Sequence, residues 1–139
     1  RRLTVLVGEK SSASAGGEAP NFRAIDVSSG ENIEAEMLSR GSHSLVFVSP
    51  DCTKCVTLVE DLRSAPTTKL VNVVLVCRGN DDSCKAFTQK VLGLKHVFVD
   101  ADGEIGRRYG VDWLPTAVSV QDGRILGRFQ PKAVSEFLV

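Results

Sequence analysis

The sequence predicts an α/β sandwich with a mixed central sheet. Two observations support this prediction: short apolar strands alternate with amphipathic segments along the chain, and the alternation finishes in an antiparallel hairpin followed by a helix. The 139 residues are enough for one ordinary domain with a hydrophobic core of its own. We therefore expect a single domain at residues 19–139, preceded by a flexible lead-in at residues 1–18.

Composition defines the lead-in, because residues 10–18 are rich in serine, alanine and glycine. The chain begins with Arg1-Arg2 rather than with methionine. This start indicates a piece of a longer precursor whose signal peptide or membrane anchor is missing. No apolar run in the sequence has the length that a transmembrane helix requires.

The first predicted elements lie just after the lead-in. Residues Phe22–Val27 alternate between apolar and polar side chains, which is typical of a half-exposed strand. The serine- and glycine-containing stretch 28–31 then predicts a turn. We expect a short helix at Ile33–Leu38 to follow.

The middle of the chain predicts a strand, a helix and a second strand. Leu45–Val48 is apolar and contains β-branched and aromatic residues, which suits a buried strand. Apolar positions then recur at helical spacing between Val56 and Arg63. Val71–Val76 is nearly all apolar, as in a central parallel strand that is covered on both faces, and we expect it to lie beside Leu45–Val48.

Two shorter elements follow that central strand. Asp82–Val91 predicts a helix with serine or aspartate as its cap, because Phe87 and Val91 repeat at helical spacing. Val97–Val99 predicts a brief strand, and the stretch 100–103 predicts a turn.

The end of the chain predicts a hairpin and a closing helix. Ala117–Val120 and Arg124–Phe129 flank Asp122-Gly123, a dipeptide that favours a two-residue hairpin turn. Pro131–Val139 carries proline at its first position and apolar residues at helical spacing, which predicts a final helix.

The chemistry of the chain is concentrated in Cys52-Thr53-Lys54-Cys55, between a predicted strand and a predicted helix. Backbone N–H groups and the positive end of the helix dipole stabilise a thiolate at such a position. A thiolate is the species that attacks a disulfide, and a second cysteine close by can resolve the resulting mixed disulfide. A structural zinc site is the main alternative, but the remaining cysteines, Cys77 and Cys84, do not form a second CxxC.

Charge and cysteine content limit the partners of the chain. Seventeen basic residues balance seventeen acidic ones, so no net field attracts nucleic acid, and we expect no nucleic-acid partner. Four cysteines in so small a domain are compatible with an oxidising compartment.

The order of its predicted elements makes the chain resemble proteins of the thioredoxin fold. Its motifs are most similar to those of one branch of that fold. The stretch 16–22, Gly-Gly-Glu-Ala-Pro-Asn-Phe, is similar to the G-x-x-A-P-x-F opening of the redoxin, ResA and TlpA group of extracytoplasmic thiol-disulfide oxidoreductases. That group adds an N-terminal β-hairpin to a three-layer thioredoxin-like sandwich. The stretch 49–55, Ser-Pro-Asp-Cys-Thr-Lys-Cys, is similar to the S-P-x-C-x-x-C site of MauD-like proteins, which are accessory proteins of methylamine dehydrogenase maturation.

The resemblance extends to a loop late in the chain. The stretch 102–111 matches a D-G-x-x-x-x-x-Y-G-V segment of the same group, and Leu114-Pro115-Thr116 matches its x-P-T segment. By that resemblance, Pro115 is the cis-proline that faces the active site, together with Cys52 as nucleophile and Cys55 as resolving thiol. The backbone of Leu114 would then receive a client peptide. Four residues are expected to form the substrate groove: Pro50, Trp113, Leu114 and Thr116.

The resemblance implies an extracytoplasmic protein thiol-disulfide oxidoreductase of the periplasm or the outer face of the cytoplasmic membrane. It implies no cofactor beyond the redox-active disulfide and no metal. The expected partners are a cysteine-containing client and a membrane or thioredoxin-like electron donor or acceptor. We expect a monomer that meets the membrane only through its missing anchor, and a role in maturing an exported redox protein is compatible with the MauD-like motif.

Two other functions share this fold. A peroxiredoxin-like peroxidase has the same G-x-x-A-P-x-F opening, and Ser49 stands three residues before Cys52, but residue 45 is leucine where that family has proline. A Sco-like copper-delivery protein would need, beside its two thiols, a histidine from a distant part of the sequence. We expect His43 and His96 to lie in loops or on the surface instead.

The second cysteine pair and the acidic residues leave further alternatives. The loop between Cys77 and Cys84 can bring both within disulfide range. A structural bridge is favoured, and a redox relay and free thiols remain open.

Asp26, Glu34 and Glu36 are weak candidates for a proton-transfer carboxylate, and we expect each of them to be a solvated surface acid.

Overall fold

A computed structural model describes residues 16–27 and 29–138 of the chain. Most of the predicted lead-in, residues 1–15, therefore lies outside the described residues. The strands within the described residues are Arg23–Ile25 (β1), Asn32–Glu34 (β2), Ser42–Val48 (β3), Val73–Cys77 (β4), His96–Val99 (β5), Thr116–Gln121 (β6) and Arg124–Phe129 (β7). The α-helices are Thr53–Arg63 (α1), Asp81–Thr88 (α2) and Glu104–Arg108 (α3), and the 3₁₀ turns are Ala35–Ser39, Thr67–Lys69 and Val134–Glu136.

Five of the strands form a mixed sheet in the order β5-β4-β3-β6-β7. β3 is parallel to β4 and antiparallel to β6, as predicted for a central parallel strand followed by a hairpin. At the carboxyl end of β3, Val48 pairs with Cys77 of β4, while Phe47 pairs with Thr116 of β6. The register thus brings three distant parts of the sequence to one edge of the sheet, where β3 leads into the CxxC.

Alternating residues of β3 and β4 face two separate apolar clusters, one on each side of the sheet. Val46 and Leu75 pack with the buried residues of α1 and α2, whereas Phe47 and Val76 pack with Phe22, Tyr109 and other residues on the opposite face. The predicted three-layer α/β sandwich is therefore confirmed.

The N-terminal hairpin is a separate two-stranded sheet of β1 and β2, in which Ala24 pairs with Ile33. It is attached to the outer edge of β5, since Asp26 forms a bridge with Phe98 and the Val27 N–H donates to the Val97 carbonyl at 2.8 Å. This contact covers an edge strand that would otherwise be open to pairing with another chain.

Two predicted helices were wrong. Ile33–Leu38 begins as strand β2, because Ile33 pairs with Ala24, and only Ala35–Ser39 forms a 3₁₀ turn. The closing helix predicted at Pro131–Val139 is reduced to the 3₁₀ turn Val134–Glu136. There the Glu136 carboxylate accepts the N–H groups of Lys132 and Ala133, so it binds the chain ahead of the turn. Val139 lies outside the described residues.

The start of one helix differs from the prediction, and one helix was not predicted. α2 begins at Asp81, because the Asn80 side chain caps it by accepting the Ser83 N–H at 2.8 Å, whereas serine or aspartate was expected. The short helix α3 was not predicted, since its five residues are too few to show a periodic pattern.

Gly93 provides a stability prediction. It has a φ of +93°, and a methyl group added there would lie 2.8 Å from Thr67 Cβ and 3.1 Å from its Cα. We expect Gly93→Ala to lower the free energy of unfolding by about 2–4 kcal/mol, from the strained backbone together with overpacking. Urea denaturation of both proteins in the same redox state measures the difference.

Gly30 offers the matched control. Its φ is +75°, but an added methyl group would meet no described atom within 4 Å. Gly30→Ala should therefore cost only the backbone term, about 1–2 kcal/mol. Equal losses in the two variants would show that the contact with Thr67 is unimportant.

Candidate active site

Cys52 occupies the N-cap position of α1, where its extended backbone (φ −101°, ψ 116°) turns the chain from β3 into the helix. Ser49 holds the connecting loop together. Its side-chain oxygen accepts the Asp51 N–H and its carbonyl accepts the Cys52 N–H, both at 3.2 Å. The loop therefore places the first cysteine at the start of a helix, as the sequence predicted.

The two thiols of the CxxC differ in accessibility. Both are reduced in this structure, with Cys52 partly exposed and Cys55 fully buried. The Cys55 N–H donates to the Cys52 sulfur at 3.2 Å, so a backbone donor of the first helical turn points at the accessible sulfur. A thiolate at Cys52 would be stabilised by this N–H and by the helix dipole.

Cys55 is held in its protonated form. Burial, and secondly its hydrogen bond with Cys52, raise the pKa of the Cys55 thiol to about 12, although backbone hydrogen bonds at Ser49 and Cys55 act in the opposite direction. No carboxylate contributes to this pKa shift. Cys55 is thus a neutral thiol at physiological pH.

The loop before β6 faces Cys52. The Leu114–Pro115 peptide bond is cis, the isomer expected from the resemblance. The Cys52 thiol donates to the Leu114 carbonyl at 3.6 Å. Behind this contact, the Thr116 hydroxyl donates to the Trp113 carbonyl at 2.6 Å and so closes the loop on itself. The accessible sulfur therefore lies against the backbone that precedes Pro115.

A groove of about 520 Å³ runs beside this loop. Among the residues that line it are Lys54, Leu58, Trp113, Leu114, Pro115 and Lys132. The Trp113 side chain is 68% exposed, although it is the largest apolar side chain of the loop. An exposed tryptophan next to a reactive sulfur is typical of a binding surface.

The predicted groove residues are not all in one place. Trp113 and Leu114 line the groove. The Thr116 side chain is buried beneath it. Pro50 lies towards Gly79 and the second cysteine pair. The contributions of α1 and of residues 130–132 were not predicted, because these segments meet only through the fold and carry no motif.

Cys77 and Cys84 form a disulfide with a Cα–Cα distance of 5.9 Å, and both are fully buried. The bond joins the end of β4 to the first turn of α2. Gly79 in the intervening loop is packed tightly, since a methyl group there would lie 3.3 Å from the Cys84 sulfur and 3.7 Å from Pro50 Cδ. The disulfide loop thus packs against the segment that leads into the CxxC.

Asp26 is not the surface acid that we expected. It is 2% exposed, and its carboxylate lies 2.6 Å from His96 Nδ1. Glu34 is exposed, as predicted, and pairs with Arg23 at 3.1 Å, and Glu36 is also exposed. Asp26 was misjudged because its burial depends on the contact between the hairpin and β5, which no local pattern reveals.

The histidines are both engaged away from the CxxC. His96 lies on β5 with Asp26, and His43 Nε2 is 2.8 Å from the Arg40 carbonyl oxygen. Within the described part of the chain, no three histidine, cysteine or acidic side chains are grouped as a metal site would require. This arrangement does not provide the histidine that a Sco-like copper site would need.

Solved structures of thioredoxin-like oxidoreductases are similar to this chain. A protein from Chlorobium tepidum assigned as a thiol:disulfide interchange protein DsbE has a TM-score of 0.74 and 20% identity, over 90% of this chain and 91% of that one. A secreted Mycobacterium tuberculosis disulfide oxidoreductase, homologous to E. coli DsbE, has a TM-score of 0.66 and 26% identity, over 81% and 85%. The exposed lipoprotein thioredoxin Etrx1 of Streptococcus pneumoniae has a TM-score of 0.60 and 20% identity, over 81% and 90%.

No family model and no curated protein sequence matches the chain. The structural neighbours show that the protein has a thioredoxin-like fold with an additional two-stranded sheet. The names of these neighbours, together with the paired thiols described above, support an oxidoreductase activity.

Proposed function

We propose that this protein is a thiol-disulfide oxidoreductase that exchanges a disulfide with cysteine-containing client proteins. One observation carries the proposal: the partly exposed Cys52 sulfur lies at a helix start against the Leu114 carbonyl, with the buried thiol of Cys55 directly behind it. An accessible nucleophile with an inaccessible partner is the arrangement that two-step disulfide exchange needs.

The reaction would proceed in two steps in the reducing direction. First, the Cys52 thiolate attacks one sulfur of a client disulfide, so that a Cys52–client bond forms and the other client sulfur leaves as a thiolate. Then Cys55 loses its proton and attacks the Cys52 sulfur, which releases the second client thiolate. The client gains two electrons and the protein is left with a Cys52–Cys55 disulfide. The same steps in reverse oxidise a client dithiol.

The groove would hold the client during the first step. A peptide in extended conformation can pair with the backbone of Leu114, next to Pro115, and rest on the exposed ring of Trp113. Such backbone pairing holds a client sulfur near Cys52 without demanding a particular client sequence.

The relatives support a location outside the cytoplasm, because one is secreted and another is an exposed lipoprotein. Among the described residues, no helix has both the length and the apolar character needed to span a bilayer. We propose that the protein works at the outer face of the cytoplasmic membrane, with a membrane or thioredoxin-like protein as electron partner. Its MauD-like S-P-x-C-x-x-C motif supports an exported redox protein under maturation as the client.

Trapping of mixed disulfides tests the proposal. The Cys55→Ser variant cannot resolve the bond between Cys52 and a client, so disulfide-linked adducts should accumulate in an extract of the source cell and disappear on reduction. The control is the double variant with both cysteines changed to serine, which should trap nothing. Equal adduct formation by the two variants would contradict the proposal.

A further inference from the structure

Trp113 and Leu114 separate the client groove from a second, smaller cleft on their other side. This cleft has a volume of about 230 Å³ and lies behind the ends of β3 and β4. Arg78, which directly follows Cys77, and Arg107 of α3 both line it, and both are exposed. We name it the arginine cleft. Leu114 lines this cleft, and its carbonyl also contacts the Cys52 sulfur. A single residue therefore joins the cleft to the reacting atoms.

The two guanidinium groups of the arginine cleft approach each other. A methyl group placed on Gly103 would lie 3.2 Å from Arg78 Nε and 3.5 Å from Arg107 Nη1, so both side chains reach the same point. Arg107 donates to the carbonyl of Asp102 at 3.0 Å, which is a backbone partner and carries no charge. Within residues 16–27 and 29–138, neither arginine forms an ion pair with a carboxylate.

Two acidic residues also line the cleft, but among the described residues neither forms an ion pair with Arg78 or Arg107. Asp100 is 4% exposed, and its two oxygens already accept the N–H groups of Ile105 and Gly106, each at 3.0 Å. Asp112 is exposed and lines the cleft, so its carboxylate competes with an incoming anion for the two arginines. Two adjacent like charges without a paired acid favour an incoming anion.

We propose that the arginine cleft binds the carboxylate of an aspartate or glutamate that flanks the reactive cysteine of the client. This inference rests on the proposed function and names its substrate class. A client segment in the groove passes Leu114, which also lines the arginine cleft, so a side chain close to the client cysteine would face Arg78 and Arg107. The planar guanidinium group pairs with a carboxylate through two parallel hydrogen bonds.

Chromogenic peptides provide the test. Each peptide carries one cysteine as a mixed disulfide with thionitrobenzoate. The Cys52 thiolate attacks the peptide sulfur, a Cys52–peptide bond forms, and coloured thionitrobenzoate leaves. Four peptides place glutamate two before, one before, one after or two after the cysteine, and each has a glutamine twin. At one position or more, the glutamate peptide should react about two- to fivefold faster than its twin, and this advantage should vanish in 0.5 M salt.

Variants assign the effect to the cleft. Arg78→Gln and Arg107→Gln should each reduce the glutamate advantage while leaving the glutamine peptides unchanged, and Asp112→Asn should increase it. Lys90→Gln is the matched control, because it removes the same charge from an exposed residue beyond the far end of α2. It should preserve the glutamate advantage.

Four outcomes overturn the inference. Equal rates for every glutamate and glutamine pair would exclude carboxylate recognition. Equal slowing of both peptides by the arginine variants would indicate a structural role. If free N-acetylglutamate inhibits the reaction at the same concentration as the peptide substrate, the cleft binds a small anion instead of a client side chain. Absence of any thionitrobenzoate release would reject the proposed function as well, whereas release without discrimination rejects this inference alone.

Discussion

Replacing Cys52 with serine is expected to reduce client-disulfide reduction to the uncatalysed background. The sulfur of Cys52 is the atom that lies against the Leu114 carbonyl and receives the Cys55 N–H. A serine hydroxyl in its place is not ionised at neutral pH and forms no disulfide, so both exchange steps are lost. Insulin reduction in the presence of a small dithiol measures the rate, and peroxide consumption measured in parallel identifies any peroxidase activity.

The Cys55→Ser variant is the matched comparison for this experiment. It retains the nucleophile, so without the small dithiol, which would itself open the adduct, it should form one mixed disulfide per protein molecule and then stop. A Cys52→Ser protein that keeps more than a small part of the wild-type rate would show that Cys52 is not the nucleophile. Faster peroxide consumption than disulfide exchange would favour the peroxidase alternative.

Resolution of the mixed disulfide by Cys55 is expected to accelerate with pH by about tenfold per unit from pH 6 to 9, without reaching a plateau. Burial is the largest cause of the raised Cys55 pKa, and a client bonded to Cys52 does not remove it. The ionised fraction of Cys55 therefore stays small and grows with each unit of pH, because the pKa of Cys55 lies above the range from pH 6 to 9. Of the steps at this site, resolution by Cys55 is therefore expected to depend most strongly on pH.

Rapid acid quenching of a preformed mixed disulfide measures this step at each pH. The control is the first step, measured by the loss of free Cys52, because it does not require Cys55 to ionise. A resolving rate that levels off below pH 8 would contradict this account. It would mean that an internal base takes the Cys55 proton during the reaction.

Much of the site was predictable because its signals are local. The apolar run before the CxxC and the helical spacing after it place Cys52 at a helix start, and α1 begins at the next residue. Asp122 and Gly123, with φ of 50° and 79°, form the turn that their dipeptide indicated. In each case a few neighbouring residues contain the information that determines the backbone.

The features that sequence reasoning missed depend on contacts between distant segments. The burial of Asp26 arises where the hairpin meets β5. The approach of Arg78 and Arg107 to Gly103 requires the end of β4 to lie beside α3. The closing helix is also shorter than predicted, and the Glu136 carboxylate accepts the N–H groups of Lys132 and Ala133 at the start of the 3₁₀ turn.

Cysteine mapping after one turnover tests the central claim most directly. The fully reduced CxxC protein is mixed with an excess of a client carrying one disulfide, alkylated in acid and analysed by peptide mass spectrometry. The account predicts one new Cys52–Cys55 disulfide for each client disulfide lost, with the bond between Cys77 and Cys84 unchanged. Client reduction without a Cys52–Cys55 bond, or with the electrons supplied through Cys77 and Cys84, would contradict it.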